Sequence, residues 1–541
     1  MYLVDNAVLQ RGLVINLRMI RGFVLLFLYN AVLGVVVYFA WPDQQRLDLT
    51  TNPEAARRLV NLFFLGQYIL ASLMTPSFAA GTITGEKEHK TYEMLLASPM
   101  RPSAIVLGKL LASLTQLAIL IFASLPIVML CLPLGGISLY EVLAAYLGLI
   151  LSVITFGMIS VACSSYFQRT AASLVVSYLL ILPLALVGVL FWRAFAGNGE
   201  FRLLLTLTLI PAVCGAICVA LFVNTSARLL NPPDVGSEGK EVVDVEQESQ
   251  EAVGLVINRD QFPDWLFAPA KRTSLLEDGA NPVYDKEIRS EIFSQGTLML
   301  RLVIQISMIL AIFLMAFFLY MSPHLAAYYI VYVITFNMLV GPVFSAGAVT
   351  SERERETLDL LLTTTITPWQ ILWGKLIAGL RVSSVLTLFL VWPILLACVL
   401  VNFYWSNLLA VLAYLVIILS TCLTTAMLAL FHSVIFRKTT HSILTTYLVI
   451  ILLFCVPLAM DYFATTFFQG AVAADVIHDL GLISPLAAAF EVPLQLETLD
   501  DQVATGSWWM IGAHVLYVVL LNFCLLVTMI WMFNTRWRVA M

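Results

Sequence analysis

Runs of about 20 or more apolar residues, almost free of charge, recur along the whole chain and limit what it can fold into. The sequence reads six in its first part, at roughly 22–41, 59–83, 105–132, 140–165, 171–192 and 203–225. Six more follow at roughly 300–320, 327–349, 371–399, 407–432, 441–463 and 509–533. Each is long enough to cross the hydrocarbon core as a helix. Only 12% of the 541 residues are charged and 60% are hydrophobic, against about 25% and 45–50% in soluble domains. A soluble enzyme and a disordered chain are excluded. The net charge of -5 and the lack of a basic stripe exclude a nucleic-acid binder. The expected fold is all-α, a polytopic membrane protein of about 12 helices.

An even number of spans puts both termini on one side. Arg11, Arg18 and Arg21 precede the first span and Arg536 and Arg538 follow the last. Arg169, Arg437 and Lys438 fall in short turns on that side, so it reads as cytoplasmic. Arg46, Arg57 and Arg58 weaken this locally. Trp41, Trp192, Trp405, Trp508 and Trp509 fall near the outer boundaries as an aromatic belt. The N-terminus lacks the pattern of a cleavable signal. All eight cysteines lie in apolar runs, which argues against a disulfide framework.

Two stretches of the chain read alike. Thr84-Gly-Glu-Lys-Glu-His-Lys-Thr-Tyr-Glu-Met-Leu-Leu runs on to Gly108-Lys109, and Thr350-Ser-Glu-Arg-Glu-Arg-Glu-Thr-Leu-Asp-Leu-Leu-Leu runs on to Gly374-Lys375. About 13 of some 31 positions are identical without a gap. The segments starting at Asn6 and Asn281 echo each other upstream. The domains expected are a first half over 1–230, an acidic linker over 231–281 and a second half over 282–541. Six spans per half give both copies the same membrane orientation.

The repeated charged loop follows the second span of each half. Ser351 and Glu354 have capping-box spacing, so a new helical turn is expected to start there. Thr91, Leu95 and Leu96, with Thr357, Leu361 and Leu362, would share the face of a short amphipathic helix that Pro102 and Pro368 end. Glu86, Lys87, Glu88 and Lys90 would form its charged rim. A positive-inside loop asks only for Lys and Arg. Matching acids and a Leu-Leu face point further, to a surface for a partner.

These residues resemble the coupling-helix region of ABC-2 type permeases, nearest to the permeases of sodium exporters and copper-enzyme-maturation exporters. The resemblance covers both halves. It implies entry helices at 3–19 and 282–298 and coupling-helix regions at 85–103 and 351–369. It also implies that Glu86, Lys87, Glu88, Thr91 and Leu95, with Glu352, Arg353, Glu354, Thr357 and Leu361, couple to separate ABC ATPase subunits, two copies in all. ATP and Mg would sit on those subunits. Rocking of the halves would give alternating access and export across a bacterial plasma membrane. Family members are usually single halves that dimerise, whereas two halves are fused here. Pro99 faces Thr365 in the repeat, so the two loops need not be equivalent.

The chain has no ATP site of its own. Gly108-Lys109-Leu110, Gly374-Lys375-Leu376 and Gly239-Lys240-Glu241 all lack the Ser or Thr of a phosphate loop. No cofactor and no metal are expected. The alternative is an ion-coupled secondary transporter of two six-helix repeats, which requires buried charge. The candidates are few: Arg381, about a turn and a half past Lys375, and His514 in the last span. Cys214 and Cys218 have the i, i+4 spacing of a soft-metal pair but lack further ligands. Asn337, Asn522, Gln116 and Gln305 read as interhelical hydrogen-bond partners. The outer segment 464–506, with a short helix expected over 471–480, reads as an outer gate, a seat for an accessory protein or a plain polar loop.

Overall fold

The computed structural model describes residues 6–18, most of 26–34, 53–131, 139–167, 170–194, 199–230, 281–289, 297–354, 356–467, 472–494 and 506–536. The expected span 22–41 falls largely outside them, as does the acidic linker. The chain divides into two compact units, Met1–Val245 and Glu246–Met541.

The first unit contains α1 (Ala7–Arg18), α2 (Pro53–Ala79), α3 (Gly81–Glu88), α4 (Tyr92–Leu96), α5 (Pro102–Cys131), α6 (Leu139–Tyr166), α7 (Thr170–Ala194) and α8 (Gly199–Leu230). The second contains α9 (Pro282–Arg289), α10 (Thr297–Met315), α11 (Ala326–Ser345), α12 (Thr350–Glu354), α13 (Leu358–Leu362), α14 (Pro368–Leu400), α15 (Asn402–Ser406), α16 (Leu408–Ile435) and α17 (Thr439–Ile450). It continues with α18 (Val456–Phe467), α19 (Val472–Leu480), α20 (Pro485–Phe490) and α21 (Trp508–Arg536). Among the described residues there is no strand. Among the described residues, eleven helices are long and apolar enough to cross a membrane. This is an all-α polytopic membrane protein.

Apolar residues surround these helices, as lipid on one side and protein on the other require. Helix α6 is central in the first unit and packs against α2, α5, α7 and α8. In the second unit α11 and α16 are the inner pair. Small residues let that core close up. A Cβ on Gly341 would lie 2.5 Å from Thr425 Oγ1, and one on Gly379 would lie 2.6 Å from Ser345 Oγ. Lipid tails offer no hydrophobic drive for helix association, so such close packing holds the bundle. The outward faces are greasy, with Leu388, Leu409, Leu419, Phe523 and Trp531 exposed.

Polar groups inside the spans serve packing. Asn337 Oδ1 accepts from Thr387 Oγ1 at 2.5 Å, and Asn522 Nδ2 donates to Thr424 Oγ1 at 3.0 Å. Both are interhelical, as expected. His514 is fully buried, with Nδ1 2.7 Å from the Leu482 carbonyl. Cys218 contacts Thr155 Oγ1 at 3.7 Å, and no metal-holding cluster occurs among the described residues.

One expectation is corrected here. The charged motif does not sit in a loop beside a new helix. The apolar helices run on to Glu88 and Glu354, so Glu86–Glu88 and Glu352–Glu354 form their last turn. Ser351 is the second residue of the short α12, and Glu354 caps a different helix, described below. Nor do Pro102 and Pro368 end the short helices. They open α5 and α14, at the first turn, where a missing N–H costs nothing. Thr367 and Gln370 form the capping box that starts α14.

Candidate functional site: a repeated helical corner

At one end of each unit the motif ties four helices into a corner, and the two units do so alike. The helix first stops. Thr91 N–H donates to the Glu86 carbonyl at 2.9 Å and Lys90 N–H to the Lys87 carbonyl at 3.2 Å. Thr357 N–H and Glu356 N–H do the same with Glu352 and Arg353, at 2.9 and 3.0 Å. This is a Schellman ending, which needs a left-handed residue. Lys90 and Glu356 supply it, each at φ 58°. The chain then turns into α4 or α13.

Each charged residue of the motif has its own task. The middle base covers the open end of a neighbouring helix. Lys87 Nζ donates to the Ser165 and Phe167 carbonyls at 2.7 and 2.9 Å, where α6 ends. Arg353 donates to the Val434 and Phe436 carbonyls, both at 2.5 Å, where α16 ends. Cations at a helix C-terminus satisfy orphan carbonyls and complement the macrodipole. The last acid covers the start of the next helix. Glu88 Oε1 accepts from Thr170 N–H at 2.7 Å, and Glu354 Oε1 from Thr439 N–H at 2.8 Å. A Glu-base-Glu triplet thus holds both sides of a helix-to-helix turn.

The first acid points elsewhere. Glu86 accepts from Thr91 Oγ1 and pairs with Lys109 at 2.6 Å. Glu352 accepts from Thr357 Oγ1 and pairs with Lys286 at 2.7 Å and Lys375 at 3.5 Å. So Thr91 and Thr357 start the short helices while bonded to the motif, and Lys109 and Lys375 are pulled inward rather than up to headgroups.

Several residues of the corner carry no charge, and of these only Thr84 and Thr350 belong to the repeated stretches. Ser164 Oγ accepts from Ile83 N–H and Thr84 N–H at 3.0 and 2.9 Å, and Ser433 Oγ from Val349 N–H and Thr350 N–H at 2.9 and 3.0 Å. The Thr84–Thr170 and Thr350–Thr439 hydroxyl pairs stand at 3.1 and 2.9 Å. The Ser and Thr of each half have the same spacing, Ser164 to Thr170 and Ser433 to Thr439. That spacing is the signal that was available.

The entry helices dock beside the corner. Expected over 3–19 and 282–298, they are described at Ala7–Arg18 and Pro282–Arg289. Asn6 Oδ1 caps α1 through Val8 N–H at 3.1 Å, while its Nδ2 donates to the Ala104 carbonyl at 2.7 Å. Asn281 repeats both bonds with Val283 N–H and the Gln370 carbonyl, at 3.0 and 2.8 Å. Gly108 and Gly374 leave room for these asparagines.

Each short helix exposes one large apolar residue. Met94 on α4 is 76% exposed and Leu360 on α13 is 69% exposed, each beside an exposed acid, Glu93 and Asp359. Leu95 and Leu361 are half-buried behind them.

The family described as ABC-2 family transporter protein matches residues 42–219 and 320–523, one region in each unit. The chain belongs to the ABC-2 transporter family. It is a membrane-embedded transport component with two permease regions on one polypeptide. No curated protein matches the sequence.

Proposed function

We propose that the chain is the complete transmembrane part of an ATP-driven exporter and that α4 and α13 each receive one separate ABC ATPase subunit. The observation that carries this reading is the repeated corner. In both units a short helix with an exposed apolar residue is fixed to a span end, to two neighbouring helix ends and to the start of the next span. A push on Met94 or Leu360 would reach all of these together. ATP and Mg bind the ATPase subunits, and the corner ends lie in the cytoplasm of a bacterial cell whose plasma membrane holds the chain. The apolar character of the spans supports a lipidic, amphipathic or peptide-like cargo over a bare ion.

On this reading the motif residues divide by task. Glu86, Lys87 and Glu88, with Glu352, Arg353 and Glu354, position the docking helices. Met94, Glu93, Leu360 and Asp359 meet the partner. The test is purification of the tagged chain from its host in mild detergent, followed by assay for a bound ATPase and vanadate-sensitive hydrolysis. Met94→Glu with Leu360→Glu should release the ATPase while the chain keeps its thermal midpoint. Retention of the ATPase by that double variant would overturn the assignment of the docking surface. An absence of any ATPase from the wild-type preparation would overturn the function.

A further inference from the structure

At the far end of the second unit, the opposite end of α11 from Glu354, lies a cavity of about 220 Å³. Tyr328, Asp461, Tyr462, His478, Phe490 and Glu491 are among its lining residues. The imidazole of His478 stands between two carboxylates. Its Nδ1 is 3.1 Å from Asp461 Oδ1, and its Nε2 is 3.7 Å from Glu491 Oε1. The two nitrogens face different acids, so the ring separates the carboxylates and does not gather them around a shared metal.

The three residues come from three elements. Asp461 is on α18, His478 is in the last turn of α19, and Glu491 follows α20. Helix α19 packs against α18 and continues into the single helical turn Gly481–Ile483. We propose that His478 is a pH-operated latch: when it takes up a proton, its imidazolium bridges Asp461 and Glu491 and pins α19 over the cavity. Neutral imidazole has one N–H and can satisfy only one of the two acids. Imidazolium has two N–H donors and a charge, and it offsets the two facing carboxylates. Histidine is the side chain whose charge changes between about pH 5 and 8.

Among the described side chains around the ring, the others do not supply this charge. Helix α18 adds Tyr462, α11 adds Tyr328, and α21 presents uncharged Met510. Asp479, next along α19, is exposed. His514 is turned to the Leu482 carbonyl. The proposal does not depend on the ATPase reading.

The test is amide hydrogen–deuterium exchange of residues 472–483 in the full chain in lipid nanodiscs, at about pH 6 and about pH 8, corrected for intrinsic rates. The wild type should be about fivefold more protected at the lower pH, the size expected for a partly exposed charged bridge. His478→Gln should remove that difference, and His478→Lys, charged at both values, should hold the segment protected at both. Unchanged exchange in α16 serves as the control that each variant is folded. A wild type with equal protection at both values, or a His478→Gln variant that keeps the difference, overturns the latch.

Discussion

Lys375 Nζ lies 2.6 Å from Glu287 Oε1 and 3.5 Å from Glu352 Oε1, and its side chain is only 1% exposed. With Lys286 on Glu352, this makes a chain of four alternating charges from the entry helix α9 through the corner to α14. Among the described residues the first unit has part of this chain, with the charge of Arg11 acting on Glu86 and Glu86 paired with Lys109, but it lacks the last acid. The repeat aligns Asn6 with Asn281, so Gly12 stands where the second unit has Glu287. A Cβ on Gly12 would lie 2.5 Å from that of Ala112, so an acid has no room there. The second entry helix thus places an acid on the buried lysine where the first has a close approach at Gly12.

Glu287→Ala tests this. It leaves a buried ammonium with Glu352 alone. Removing one partner of a buried pair costs about 3–5 kcal/mol, and the remaining carboxylate should hold the loss to roughly 2–3 kcal/mol. Thermal melting in detergent should show a clear fall. Gly12→Glu should also destabilise, through the clash, and should not create a stabilising pair with Lys109. A stabilised Gly12→Glu variant would overturn the packing argument.

Gly108→Ala and Gly374→Ala should both loosen an entry helix, unequally. A Cβ on Gly374 would lie 3.0 Å from the backbone nitrogen of Tyr284, which cannot move alone. One on Gly108 would lie 2.9 Å from Asn6 Nδ2, the end of a side chain. Overpacking costs about 1–3 kcal/mol, and Gly374→Ala should fall at the upper end. The Gly108 cost should shrink sharply in an Asn6→Ala background, since the clash and the cap are the same interaction. Additive losses in the melting midpoints would separate the two and refute this account.

The left-handed positions give a test of opposite sign. Lys90 and Glu356 sit at φ 58°, where a side chain costs roughly 1 kcal/mol and glycine is at ease. Lys90→Gly and Glu356→Gly should each leave the melting midpoint unchanged or raise it slightly. A marked fall would mean that these side chains, rather than the turn they form, hold the corner.

Much of this architecture was legible in the sequence because two physical signals are strong. Apolar length sets the spans, and eleven of the twelve expected fall within a few residues of helices long enough to cross. The repeat marked the corner, since Glu86, Lys87 and Glu88 recur as Glu352, Arg353 and Glu354. What each residue does there was not legible. A Glu-base-Glu triplet looks like a charged rim until the ends of α6 and α7 are known to meet it. Bonding partners about 80 residues away leave no local pattern. Ser164 and Ser433 are ordinary small residues within apolar helices, marked only by their equal spacing to Thr170 and Thr439. The capping-box spacing at Ser351 misled because the Glu354 carboxylate bonds instead to the start of α17.

The last test concerns Glu491. Burial, followed by the charge of Asp461, pushes its carboxyl above the ordinary range, while His478 and the Ser507 backbone pull it back. The unfolded value is about 4.3. Between that value and the raised one, the native state holds more proton than the unfolded state, so stability falls as pH rises through that window. Above the window the full cost of a half-buried carboxylate is present. Glu491→Gln removes the titration. Its melting midpoint minus that of the wild type should therefore be smallest near pH 4, grow as pH rises and then level off. A difference largest at acid pH would place Glu491 in a stabilising ion pair and reverse the assigned cause.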